Sequence, residues 1–146
     1  MAVKVSILMA VYNTAPYLPQ SLDSLLNQTM GDFQVICVDD ASTDDSLKVL
    51  ESYARRDSRI EVISLAENHG QAFARNQGLK CAQGSYICFL DSDDWLEKNA
   101  LSFLMAQESD VDLIFYGSSF HSVNGNVTLY SPNLCICHGF SEVQEG

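Results

Sequence analysis

Ser85-Tyr86-Ile87-Cys88-Phe89-Leu90-Asp91-Ser92-Asp93-Asp94-Trp95 decides how the rest of the chain reads. Tyr86 to Leu90 has the length and β-favouring composition of a strand buried in a parallel sheet. It stops at Asp91, Asp93 and Asp94, three carboxylates within four residues. Open α/β sheets bind their ligands at the C-terminal ends of strands, so this is where a ligand is expected. Carboxylates this close repel one another unless a cation lies among them. Mg²⁺ and Mn²⁺ suit such a place, because they favour oxygen ligands and share them with substrate phosphates. The same residues also suit an acidic strand-to-helix turn with Asp94 as a cap.

Upstream the pattern recurs. Lys4 to Val11 is a mostly apolar run, broken by Tyr12-Asn13-Thr14-Ala15-Pro16. Pro16 suits the first turn of a helix carrying Leu18, Leu22, Leu25 and Leu26, with Gly31 as its stop. Phe33 to Val38 is a second strand, also ending in carboxylates, Asp39 and Asp40. The cap-forming run Ala41 to Ser46 leads into a helix marked by Leu47, Val49, Leu50 and Tyr53, with Arg55-Arg56 at its C-terminal end. Ile60 to Leu65 is a third strand. Asn68-His69-Gly70 opens a helix with Ala72, Phe73, Leu79 and Cys81 as packing positions, and Gly84 ends it.

Downstream, Lys98 to Gln107 reads as a helix through Leu101, Leu104 and Met105, and Asp112 to Tyr116 as a fifth strand. His121 to Tyr130, centred on Asn124-Gly125, reads as a hairpin. Strands alternating with helices imply a doubly wound, mostly parallel sheet with right-handed crossovers.

Composition narrows the function. Eight basic residues against 19 acidic ones give a net charge of −11, which argues against a general nucleic-acid surface. No apolar run approaches the roughly 20 residues of a membrane span, and Met1 to Val5 lacks the features of a signal peptide. Five cysteines, two of them (Cys37 and Cys88) inside apolar strands, fit a reducing cytosol better than a disulfide framework. Cys135-Ile136-Cys137-His138 lacks the second ligand cluster that a zinc site needs.

Parallel strands bring Tyr12-Asn13, Asp39-Asp40 and Asp91-Ser92-Asp93-Asp94 to one rim. An aromatic ring and several acids there suggest a nucleotide site with a metal. Tyr12 suits a base, Asp39 or Asp40 suits base N–H or sugar hydroxyl, and Asp91 with Asp93 suits a cation bridging a diphosphate. Arg75, on the helix after the third strand, is placed to pair with carboxylates or phosphates. Asn68 suits helix capping as well as ligand binding. Neither the dinucleotide fingerprint nor a P-loop is present, so phosphate charge falls chiefly to the metal.

Four segments in register then resemble a known family. They are Val-Ser-Ile-Leu-Met-Ala-Val-Tyr-Asn, Val-Asp-Asp-Ala-Ser-Thr-Asp, Asn-His-Gly-Gln-Ala-Phe-Ala-Arg-Asn-Gln-Gly and Phe-Leu-Asp-Ser-Asp-Asp-Trp. Together they resemble the N-terminal half of family 2 glycosyltransferases, which have the GT-A fold; the clear match runs from residue 3 to about 100 and a weaker one to about 116. The resemblance implies an inverting transferase using a nucleotide-sugar, most often a UDP-sugar, with Mn²⁺ or Mg²⁺. It places Val11, Tyr12 and Asn13 at the uracil and ribose, Asp39 on the base, Asp40 in support of that loop and Arg75 near the diphosphate. Asp91-Ser92-Asp93 matches the family's Asp-x-Asp motif. Asp93 is then the direct metal ligand, Asp91 binds ribose or a metal-bound water, and Ser92 lies with the donor.

The family's catalytic base lies in a later acidic motif, expected beyond Gly146; Glu142 and Glu145 lack its surroundings. The expected organisation is a donor-binding core over residues 1–116 and the start of an acceptor-side region over 117–146, with Pro132 to Gly146 loosely packed. Members of such pathways build polysaccharides, lipopolysaccharide, teichoic acid and glycoproteins. The resemblance is compatible with a cytoplasmic protein, peripheral association with the inner face of a membrane, a lipid-linked or protein acceptor, and homo-oligomers. Two other readings are a sugar nucleotidyltransferase and a non-catalytic nucleotide-binding or assembly module. The first is disfavoured because the loop from Tyr12 to Tyr17 carries no Lys or Arg.

Overall fold

The computed structural model describes residues 2–106, 113–121 and 127–138. Ten elements follow in the order β1 (Val5–Val11), α1 (Leu18–Leu26), β2 (Phe33–Asp39), α2 (Ser46–Arg56), β3 (Ile60–Ser64), α3 (Gln71–Leu79), β4 (Tyr86–Phe89), α4 (Ala100–Ala106), β5 (Leu113–His121) and β6 (Val127–His138). They build one sheet ordered β3-β2-β1-β4-β6-β5. The first four of these strands are parallel. β6 runs antiparallel to both β4 and β5.

Apolar runs produce the parallel strands because both faces of the sheet are covered. Val5, Ile7, Met9 and Val11 of β1 join Val35 and Cys37 of β2 in the larger core, which α1, α2 and α4 close with Leu18, Leu22, Leu25, Leu50, Leu101 and Leu104. The alternate residues Leu8, Ile36 and Val38 face α3 through Ala74. Burying each leucine contributes roughly 1.5–3 kcal/mol, so the three fully buried leucines of α1 fix that helix without a side-chain cap. α3 lies close to the sheet because Gly78 has no side chain: a Cβ there would meet Leu8 and Val38 at 3.3 Å.

The rim opposite the site is held by a buried polar knot. The Ser6 hydroxyl donates to Gln34 Oε1 at 2.7 Å and accepts from the Gly84 N–H at 2.8 Å, and the Gln83 N–H also reaches Gln34 Oε1, at 2.7 Å.

Several local expectations change. α1 begins at Leu18, so the proline in its first turn is Pro19, while Pro16 lies in the turn before it. Phe73 is not a packing position; it is 39% exposed, with its ring tilted against that of His69 at 4.5 Å between centres. The strand expected from Asp112 to Tyr116 extends to His121, and its neighbour is β6 rather than a parallel strand. β6 pairs Tyr86 with His138, Ile87 with Cys137 and Cys88 with Ile136. Residues 132–138, expected in a loose tail, are therefore in the sheet, and residues 139–146 lie outside the described residues. The Asn124-Gly125 centre of the expected hairpin also lies outside them.

Candidate nucleotide-sugar site

Strand order reverses about β1, whose own crossover leads to β2 while β4 lies on its other side. Ligands of open α/β sheets bind at such a switch point, beyond the C-terminal ends of the strands. Register brings Val11 opposite Asp39, and the Asp40 N–H donates to the Val11 carbonyl at 2.8 Å. β4 ends lower, with the Leu90 N–H bonded to the Leu8 carbonyl at 3.1 Å, so the acidic turn rises beside the end of β1. A cleft of about 320 Å³ opens there, lined by Ala10, Val11, Tyr12, Asp40, Asn68, Gly70 and Gln71.

Pleating separates the two carboxylates at the end of β2. Asp39 continues the face of Val35 and Cys37, toward α1 and α2. It is 1% exposed; its Oδ2 accepts from the Ser42 N–H at 3.2 Å, and its Oδ1 has no hydrogen-bond partner. Asp40 continues the opposite face and lines the cleft. Its Oδ1 accepts from the His69 N–H and its Oδ2 from the Gly70 N–H, each at 2.8 Å. Asn68 donates to the Asp40 carbonyl at 3.2 Å. Asp40 therefore ties the end of β2 to the start of α3. Gly70, not Asn68, occupies the position before that helix, with a φ of 91° that a side chain would strain.

Tyr12 is 47% exposed at the cleft. Asn13 follows with a φ of 53°, a conformation in which Asn is tolerated better than most residues. Its carboxamide oxygen accepts from the Thr43 N–H at 2.8 Å and the Asp44 N–H at 3.2 Å. Its backbone N–H reaches Ser42 Oγ at 3.0 Å. Asn13 thus holds the loop after β2. Asp44 reaches back, accepting from the Ala15 N–H at 3.2 Å and the Ser46 N–H at 2.9 Å. Partial burial raises the Asp44 carboxyl, but these hydrogen bonds outweigh it and leave the group below its ordinary value.

On the acidic turn, Asp91 Oδ1 accepts from Arg75 at 2.7 Å and from Gln71 Nε2 at 3.2 Å. Both donors are on α3, one turn apart. The Arg75 guanidinium also lies 5.5 Å from the centre of the Phe89 ring. The Asp94 N–H closes the turn on the Asp91 carbonyl at 3.0 Å. Ser92 is buried, and its Oγ accepts from Thr14 Oγ1 at 2.9 Å. Asp93 is exposed. Desolvation, then the charges of Asp93 and Asp91, raise the Asp94 carboxyl.

The donor set suits a hard divalent cation. Among the described residues no group of three or more His, Cys, Asp or Glu side chains could enclose a metal. Asp91 and Asp93 could supply carboxylate oxygens, with substrate phosphates and water completing the shell, as Mg²⁺ and Mn²⁺ accept. Asp93 and Asp94 stand beside Asp91 on the turn, where among the described residues only Asp91 is ion-paired, with Arg75; a cation there would offset the remaining negative charge.

The rim thus gathers Val11, Tyr12, Asp40, Asn68 and Gln71 at the cleft and Arg75, Asp91 and Asp93 on its acidic side. Asp39, Asn13 and Ser92 lie behind this surface, engaged with backbone or buried hydroxyl groups. Thr14 and Gln71 were missed as site residues. Their signal was spatial: Gln71 precedes Arg75 by one helical turn on the same face, whereas Thr14 had only its place after Tyr12-Asn13.

A model of the family described as Glycosyl transferase family 2 matches residues 6–143. The putative glycosyltransferase EpsH of Bacillus subtilis is 41% identical over 119 residues, spanning 80% of this chain and 34% of that protein. S. aureus TarS, in a structure of residues 1–349 in complex with UDP-GlcNAc, superposes with a TM-score of 0.68 at 36% identity, over 71% of this chain and 30% of that one. The mannosyltransferase PcManGT of Pyrobaculum calidifontis, solved in complex with GDP-Man and Mn²⁺, shares the fold with a TM-score of 0.66 at 24% identity, over 77% of this chain and 35% of that one. The chain therefore spans about a third of the length of EpsH, of the TarS 1–349 chain and of the PcManGT chain. Its match over 138 residues, with the parallel β3-β2-β1-β4 core, places this chain in glycosyl transferase family 2 with the GT-A fold.

Proposed function

We propose that the chain is the donor-binding part of an inverting glycosyltransferase that uses a UDP-sugar. The observation that carries this reading is the cleft at the switch point, bounded by Tyr12 and Asp40 on one side and by Gln71 reaching toward Asp91 on the other. A nucleoside fits the first side and a diphosphate the second. TarS in complex with UDP-GlcNAc supports a UDP-sugar as donor.

Tyr12 offers its ring to the base, and Val11, whose side chain is buried in the larger core, anchors it at the end of β1. Asp40 faces the cleft, and each of its oxygens keeps a lone pair for a base N–H or a ribose hydroxyl. Asp39 and Asn13 hold the loop behind it. Arg75 and Gln71 fix Asp91, and Asp93 is left free to bind the cation. Bound there, Mg²⁺ or Mn²⁺ stabilises the negative charge that develops on the departing diphosphate. An acceptor hydroxyl attacks the anomeric carbon from the opposite face, and a carboxylate outside the described residues removes its proton. Residues 1–116 form the donor side and 117–146 begin the acceptor side, although the sheet is continuous across that division.

A panel of UDP, GDP, CDP and uridine, titrated calorimetrically with Mn²⁺ and with EDTA, tests the reading. The expected order is UDP first, with uridine bound weakly and without regard to metal. Equal affinity for all the diphosphates would remove the base-recognition role of Tyr12 and Asp40.

A further inference from the structure

Thr14 connects parts of the chain that are far apart in sequence. Its N–H donates to Ser46 Oγ, fully buried at the start of α2, at 3.0 Å. Its carbonyl accepts from the Tyr17 and Leu18 N–H groups, at 2.9 and 3.2 Å, at the start of α1. Its hydroxyl donates to Ser92 Oγ at 2.9 Å, across 78 residues of sequence. Every polar group of Thr14 is thus engaged, and the residue is fixed to two helices before it touches the acidic turn.

Ser92 stands between the two carboxylates assigned to the cation. The turn concentrates negative charge, and mutual repulsion favours splaying it apart. Arg75 and Gln71 restrain Asp91 from the α3 side. The Asp93 side chain is exposed and has no comparable restraint among the described residues, so its place follows from the backbone on either side of Ser92. With Ser92 5% exposed, water is poorly placed to replace the threonine hydroxyl.

We propose that Thr14 is a positioning residue that sets the height of the Asp91–Asp93 turn relative to the nucleoside cleft, acting through the Ser92 hydroxyl. The proposal rests on the donor-site reading above. A donor molecule must touch both places at once, the base beside Tyr12 and the diphosphate beside the turn. A turn held at the right height binds the metal–diphosphate end without first being ordered, whereas a loosened turn loses that advantage. Binding of the nucleoside alone rests on the cleft and, because Arg75 and Gln71 hold Asp91 independently of Ser92, is unaffected.

Thr14→Val keeps the shape and removes the hydroxyl, Ser92→Ala removes its partner, and Thr14→Ser retains the hydroxyl. Each variant is titrated with uridine and with UDP plus Mn²⁺, and Mn²⁺ binding alone is followed by electron paramagnetic resonance. Losing one hydrogen bond predicts that Thr14→Val and Ser92→Ala each weaken Mn²⁺-dependent UDP binding by roughly 2- to 10-fold. Uridine affinity is unchanged, the double variant is no worse than either single one, and Thr14→Ser binds like the parent. If Thr14→Val fails to fold, Ser92→Ala and Thr14→Ser decide alone. Equal losses for uridine and Mn²⁺–UDP would overturn the proposal, as would full retention of the metal-dependent increment or additive effects in the double variant. Should the parent chain bind UDP no better with Mn²⁺ than with EDTA, the donor-site reading itself falls and takes the proposal with it.

Discussion

Asp40→Asn removes one oxygen from the carboxylate that ties the end of β2 to the start of α3. In the parent chain both oxygens accept backbone N–H bonds, from His69 and Gly70, each at 2.8 Å. An asparagine can satisfy one of these; its amide nitrogen then faces the other N–H. Asp40 is only 3% exposed, so water is poorly placed to replace the lost acceptor. An unpaired buried donor costs about 1–3 kcal/mol, and the surviving bond loses the strengthening of a charged acceptor, about 0.5–1.5 kcal/mol. The sum is about 1.5–4.5 kcal/mol. For a chain of this size that corresponds to a fall in Tm of roughly 5–15 °C, read by circular dichroism. Whichever of the Gly70 and His69 amides faces the new amide nitrogen should also exchange faster, because it loses its acceptor. Asp39→Asn is the control: it keeps an oxygen for the Ser42 N–H and alters an atom that has no partner, so its shift is smaller. If Asp40→Asn melts within about 2 °C of the parent, the clamp contributes little and the structural role given to Asp40 is wrong.

Other consequences follow from single contacts. Gly84→Ala places a Cβ 2.5 Å from the Ser6 backbone nitrogen, and displacing that strand predicts a loss of about 1–3 kcal/mol in denaturant unfolding, whereas Gly31→Ala, with open space around it, is nearly neutral. Burial pushes the Cys37 thiol up to about 12, so peptide mapping after iodoacetamide treatment of the native chain should find Cys37 unmodified, and labelling it would show that the core opens readily. The Arg59 side chain, hydrogen-bonded to Asp57 at 2.8 Å, holds that carboxyl below its ordinary value of 3.8 against the opposing effect of burial. A depressed carboxylate stabilises the folded chain above its ordinary value, and that stability is lost as pH falls through the lower folded value. Thermal melts of Asp57→Asn should therefore differ from the parent near neutrality and converge with it in acid; a constant difference would refute the assignment.

Much of the fold was legible because the parallel strands are short apolar runs that each stop at polar residues. Val5–Val11, Phe33–Asp39 and Tyr86–Phe89 needed no long-range information. The insertion of β6 beside β4 did need it: nothing local in Val127–His138 specifies pairing with Tyr86, Ile87 and Cys88. Phe73 was misjudged because hydrophobicity was read without the helical face, which Ala74 and Gly78 define. In the candidate site, residue types showed that acids, an aromatic ring and Arg75 share a rim. They did not show which acid faces the cleft. Alternation along β2 carries that information, since Asp39 shares a face with Cys37 whereas Asp40 lies with Val38, and it emerges once the positions of the helices are known. The hydroxyl pair of Thr14 and Ser92 joins residues that no motif spacing connects.

The most direct test of the central claim is a calorimetric titration of UDP into the parent chain and into Asp93→Asn, with Mn²⁺ and with EDTA. A working donor site predicts binding by the parent that strengthens with Mn²⁺ and an increment that disappears in Asp93→Asn. Metal-dependent binding that survives intact in Asp93→Asn, or a folded parent that binds UDP equally with and without Mn²⁺, would contradict the account.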